Sequence, residues 1–214
     1  SALLPFFLPA IVMSGLTVMR EHGAEITSDV GAVDRVWIAA AGRAHDAWRL
    51  LVPFGLSPLY PRWSVGAVRP FGIAAFVAGV VALIWIFRAR SRWPWVALGS
   101  AHFVISLLPT SGVIPFGYMD HSFVADHFLY WPSWGFWLAV LSPLAMLPRI
   151  GTWMPLVWIL PSLALTPMQA RAYRDSGQFW GAVLQGNPNS WVAHGNLGHW
   201  LAERGEFAEA RVEL

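Results

Sequence analysis

GYMDHSFVADHFLYWPSWGF, residues 117–136, is the stretch whose reading decides the rest of the chain. It lies between two apolar runs yet carries Asp120, His121, Asp126 and His127. Four ionisable groups beside a bilayer cost free energy unless they meet water, a partner or a substrate, so the stretch reads as a functional face at a membrane surface. An ordinary polar loop with an amphipathic turn is the competing reading. Composition favours the membrane. Charged residues are 12% of the chain and apolar residues 56%, against about 25% charged in a soluble domain. Fourteen tryptophans fit the same reading, because indole rings favour the water–lipid interface. A net charge of +2 without a basic stripe excludes nucleic acid as a partner. With no cysteine, disulfides and thiolate metal sites are excluded.

Working outward, five apolar runs read as spans: residues 2–19, 70–87, 93–108, 132–147 and 150–166. The acidic loop at residues 20–35 has no positive excess and suits the non-cytoplasmic side. Residues 36–51 differ from the spans. Arg43, Asp46 and Arg49 recur at i, i+3, i+6 on one helical face, while Trp37, Ile38 and Trp48 share the stretch. That pattern predicts an interfacial helix, the alternative being a spanning helix with its charged face turned to a protein interior. The proline-rich loop at 52–70 has LYPRW, residues 59–63, at its centre. Arg88, Arg90 and Arg92 form the strongest positive cluster and place that turn in the cytoplasm. By parity, the loops around LYPRW and VADHF and everything beyond Pro167 then lie outside. His102, within a span, reads as hydrogen-bonded between helices.

Beyond Pro167 the apolar runs stop. NLGHWLAERGEFAEA, residues 196–210, has the helix–turn–helix spacing of a tetratricopeptide repeat: Leu197 and Gly198, a turn at Gly205, then Phe207 and Ala210 as packing residues. The expected architecture is therefore all-α: a polytopic membrane bundle of about five spans plus an interfacial helix over 1–167, then a tetratricopeptide-type hairpin over 168–214. Such arrays need three or more repeats, so either more repeats follow Leu214 or a partner covers the open end. The missing initiator methionine adds the expectation of a longer protein.

The outer face gathers Arg43 and Arg49 on the interfacial helix, Arg62 in LYPRW, and His121, Asp126 and His127. Arginine's planar fork suits phosphate, and an Asp–His pair suits orienting a hydroxyl or diphosphate, or moving a proton near neutral pH. Equally, Arg62 and Asp126 pair with each other and staple two loops. No metal is expected, because His121 and His127 are six apart, as are Asp120 and Asp126, and two ligands on one helical turn need i, i+4. His194 and His199, five apart, read as solvent-facing.

An LLPFF-type span, AGRA on an amphipathic helix, YPRW, VADHFLYWPSWGF and a return to repeats together resemble bacterial tetratricopeptide-repeat membrane proteins. These are related to the transmembrane and tetratricopeptide-repeat O-mannosyltransferases. The likeness covers nearly the whole chain as the C-terminal half of a membrane region plus first repeats. It implies a C-type glycosyltransferase fold in a bacterial inner membrane, a polyprenyl-phosphate sugar donor, and extracytoplasmic repeats that hold the acceptor. It puts Arg62, Asp126 and His127 near the donor lipid. The family's catalytic acidic residue lies in an early outer loop, upstream of the matched part, and this chain has no equivalent. Two functions are therefore expected: the C-terminal part of a membrane glycosyltransferase, or a non-catalytic accessory subunit that packs against membrane lipids and other membrane subunits and docks a protein partner through the repeats.

Overall fold

Helix α1, Ala32–Leu51, is amphipathic and buries Ile38, Ala41, Gly42 and Asp46. The structure, a computed structural model, describes residues 30–147, 153 and 155–214. The expected span at 2–19, the acidic loop up to residue 29 and the turn at Arg149 lie outside the described residues. Among the described residues the chain is all-α, with eight α-helices, two short 3-10 turns and no strand.

Helix α2, Val65–Ala89, is 25 residues of nearly uninterrupted apolar sequence. It is apolar all round, and Phe71, Val77, Val81, Trp85 and Phe87 stand exposed on it. An exposed surface of that kind is stable when lipid or other protein covers it and not in water. Among the described residues, this helix is the one long and apolar enough to cross a membrane. It crosses α1 closely: a Cβ at Gly72 would collide with the Trp37 carbonyl. At the open end of the pair, Arg69 grips Asp34 with two parallel bonds, Nε to Oδ1 at 2.8 Å and Nη2 to Oδ2 at 2.9 Å.

The other expected spans come out short. Helix α3, Pro94–Ser106, and helix α4, Pro132–Leu144, have 13 residues each. At a rise of 1.5 Å per residue each reaches ~20 Å, against a hydrocarbon core of ~30 Å. Helix α5, Leu156–Ala172, has 17 residues, is interrupted by Pro161 and Pro167, and runs on into Gln169 and Arg171. A five-span bundle is therefore not supported by the described helices; apolar composition extended further than the helical hydrogen-bond ladder does. Helices α3 and α4 form a tight pair through Gly99 and Gly135, whose added Cβ atoms would each lie 2.5 Å from the other glycine's carbonyl oxygen. Small residues that let helix backbones touch are characteristic of packing in lipid, where no hydrophobic gain holds helices together.

Helix α5 continues through residues 167 and 168, and the chain turns at Tyr173–Asp175 instead. Three helices follow: α6, Ser176–Gly186; α7, Trp191–Glu203; and α8, Phe207–Glu213. Asp175 caps α6 by accepting from the Gln178 N–H, and Ser190 caps α7 by accepting from the Ala193 N–H. Gly205 makes the α7–α8 turn with φ +80°. Gly198 and Ala210 are buried where these helices meet, and Leu197 is half-buried. Phe207, expected to pack, is 69% exposed at the first position of α8. His194 is also not simply solvent-facing, since it joins α7 to α8 through Glu213 at 2.6 Å. Its pKa is raised by its hydrogen bonds to the Pro188 carbonyl and to Glu213. His199 is exposed beside Glu203.

Candidate functional site

Two loops that the sequence separates by some sixty residues form one platform. Residues 52–64 and 109–131 lie together, and the 3-10 turns Gly117–Asp120 and Asp126–Leu129 shape the second. Asp126 is the pin. Tyr60 donates its phenol proton to the Asp126 carboxylate, with Oη 2.9 Å from Oδ1 and 3.0 Å from Oδ2. The Ser57 N–H donates to Oδ2 as well, and Tyr118 closes the platform by donating to the Pro58 carbonyl. Burial raises the Asp126 pKa to about 6 and outweighs the hydrogen bonds from Tyr60 and Ser57 and the charge of Arg49, which act the other way. Burial also raises Tyr60, with the Asp126 charge adding to it, and Tyr118 is raised mainly by the same loss of water.

Arg49 supports this pin from α1. Its guanidinium lies 5.1 Å from the centre of the Tyr60 ring, its Nε donates to His45 Nε2 at 3.3 Å, and its Nη1 donates to the Phe54 carbonyl at 2.5 Å. His45 packs edge-on against Tyr60 and Trp63. Arg49 and Asp126 are thus brought together through Tyr60.

The remaining candidates are dispersed. Arg43 pairs with buried Asp46 at 3.0 Å and donates to the Leu107 carbonyl at 2.8 Å, where it neutralises the C-terminal end of α3. Arg62 donates to the Met119 carbonyl at 2.9 Å and lies over the Phe123 ring. Arg62 and Asp126 do staple the two loops, but each through other partners. His127 stands at the rim against Tyr118 and Phe128, where desolvation lowers its pKa. No group of three metal-ligating side chains occurs among the described residues.

Behind the platform, Leu59 and Tyr118 pack against Val183, Ala193, Phe179 and Trp180 of α6 and α7. The hairpin is therefore seated on the loops. A cleft of about 290 Å³ opens at this seam, lined by Arg62, Asp120, His121, Asn187, Ser190 and Trp191. A second, more apolar groove of about 440 Å³ runs between α1 and α2 past His45, Trp48, Trp63 and Phe71.

Sequence reasoning missed Tyr60, Ser57 and His45 as partners of the candidates. Tyr60 sits two places before Arg62 and His45 lies between Arg43 and Arg49, so proximity was a usable signal for both; Ser57 acts through its backbone and left none. Searches for similar proteins return no family model, no curated protein and no solved structure that matches.

Proposed function

We propose that this chain is a non-catalytic, membrane-anchored accessory protein that holds a protein partner at the membrane surface. One observation carries the reading: the three arginines and the buried carboxylate of the outer face are engaged in holding the platform together. Arg43, Arg49 and Arg62 each donate to a backbone carbonyl, and Asp126 accepts a hydrogen bond from the Tyr60 phenol. Groups so engaged stiffen a scaffold, and moving them to a substrate would break it. In this reading α2 anchors the chain, α1 lies in the interface, and the shorter helices pack against lipid and other membrane subunits. Helices α6 to α8 are the start of a tetratricopeptide array on the extracytoplasmic side of a bacterial inner membrane, with the turn at Arg88 to Arg92 in the cytoplasm. Phe207 and Val212, 69% and 83% exposed, are the contacts offered to the partner.

Purification of the tagged chain from native membranes tests this. A stoichiometric complex by native mass spectrometry is expected, lost on Phe207→Asp with Val212→Asp. Recovery as a monomer that transfers sugar from a polyprenyl-phosphate donor overturns it.

The groove between α1 and α2 favours a second reading, the C-terminal part of a polyprenyl-phosphate-sugar-dependent glycosyltransferase. Its apolar walls suit an isoprenoid chain, and His45, to which Arg49 donates, lines one side where a phosphate would lie. Photo-crosslinking with a polyprenyl-phosphate analogue would label peptides containing Trp48 or Phe71 in that case, and neither otherwise.

A further inference from the structure

We propose that the cleft between the platform and α7 is a binding site for a neutral saccharide, stacked on Trp191 and hydrogen-bonded by Asp120, His121 and Asn187. This stands apart from the groove between α1 and α2 and from the Asp126 pin, and it does not rest on either functional reading above.

A pyranose presents an apolar C–H face and a rim of hydroxyls that both donate and accept. A site for it needs one open aromatic face beside planar polar groups of mixed donor and acceptor character. The cleft supplies both. The Trp191 indole is 71% exposed, although it begins a helix whose next residues are seated on the platform, and the His121 ring holds it from the side at 5.1 Å. An indole left that open beside polar groups is a stacking surface with a polar rim. Asp120 is exposed and makes no hydrogen bond or ion pair among the described residues. His121 lines the cleft with its ring half-buried, Nδ1 being on the buried side. The side chain of Asn187, a residue 8% exposed, donates through Nδ2 in a long 3.5 Å bond to the Leu59 carbonyl.

Charge selects among polar ligands. Arg62 is engaged with the Met119 carbonyl and the Phe123 ring, while Asp120 in the same cleft is an exposed carboxylate, so an anion gains no attraction there. Asp120 also opposes the attraction that the N-terminus of α7 would otherwise exert on a phosphate. Its volume, about 290 Å³, is at the lower end of ligand pockets, ~300–1,000 Å³. A mono- or disaccharide fits that size, and a folded peptide element does not.

Saturation-transfer NMR on the full chain in nanodiscs tests the proposal. The probes are methyl glycosides of glucose, galactose and N-acetylglucosamine, together with maltose, inorganic phosphate and an acidic peptide. Saturable binding of at least one saccharide is expected, weakened about tenfold or more by Trp191→Ala and by Asp120→Asn, a loss of ~1.4 kcal/mol. Asp120 holds no part of the fold, so Asp120→Asn reports on binding alone. Trp134→Ala, which removes an exposed indole elsewhere, leaves affinity unchanged. Absence of saturable saccharide binding, indifference to both cleft variants, or cleft-dependent binding of phosphate or the peptide in place of sugar overturns the proposal.

Discussion

Tyr60 and Asp126, 66 positions apart, are joined by a hydrogen bond that the phenol donates: its oxygen lies 2.9 Å from Oδ1 and 3.0 Å from Oδ2 of the carboxylate. That contact is one of four that join the two loops on which the helical hairpin sits, with Ser57 to Asp126, Tyr118 to Pro58 and Arg62 to Met119, so it contributes to the stability of the outer unit. Tyr60→Phe leaves a half-buried carboxylate short of a donor while keeping the ring against His45 and Arg49. A loss of about 1–3 kcal/mol is expected, read as a lower midpoint in thermal unfolding. Loss of protection from hydrogen exchange should appear in residues 53–60 before α2.

Asp126 makes this stability depend on pH. Its folded pKa is raised from 3.8 to about 6 by burial, so the folded state holds the proton more tightly than the unfolded chain. The contribution is full below about pH 4 and is lost as pH rises through about 6. Each pKa unit is ~1.4 kcal/mol, and partial solvent screening reduces the whole effect to roughly 1–2 kcal/mol. The midpoint of the wild type should therefore fall, relative to Asp126→Asn, between pH 4 and pH 7. Parallel midpoints for the two proteins across that range would show that Asp126 is not buried as described.

Gly99→Ala measures how closely α3 and α4 approach. Helix propensity alone favours alanine by ~1 kcal/mol. The added Cβ would lie 2.5 Å from the Gly135 carbonyl oxygen and 2.6 Å from the Ala139 nitrogen, backbone atoms that cannot swing aside. Overpacking of that kind costs about 1–3 kcal/mol, so a net loss of stability is expected, with Gly135→Ala matching it. Gly79, whose Cβ would meet nothing within 4 Å, is the control, and Gly79→Ala should be neutral or stabilising.

Legibility followed the range of the interactions. Helix α2 was readable because an unbroken apolar run with an arginine-rich end needs no distant partner to be helical; the expected 70–87 sits inside Val65–Ala89. The α1 face at Arg43, Asp46 and Arg49 was readable from spacing, and Arg43 does meet Asp46. Gly205 was readable as a turn because a positive φ favours glycine. The lengths of α3 and α4 were not readable: both begin at or beside the expected proline, but each helical ladder stops short of the end of its apolar run, which hydropathy does not mark. Nor was the wiring of the outer face. Arg62 meets the Met119 carbonyl, and a backbone acceptor has no signature in a list of side chains. Asp126 drew notice for its charge, but its partner is a phenol, which the search for opposite charges passed over.

The claim that the rest depends on is that α2 lies in lipid while the hairpin stands in water on the loop platform. The chain has no cysteine, so single spin labels at Val81→Cys and Asn189→Cys in bilayers report without background. Power-saturation measurements should show the label at position 81 accessible to oxygen and shielded from a water-soluble nickel chelate, with the reverse at position 189. Ready access of the nickel chelate to position 81 would contradict the claim.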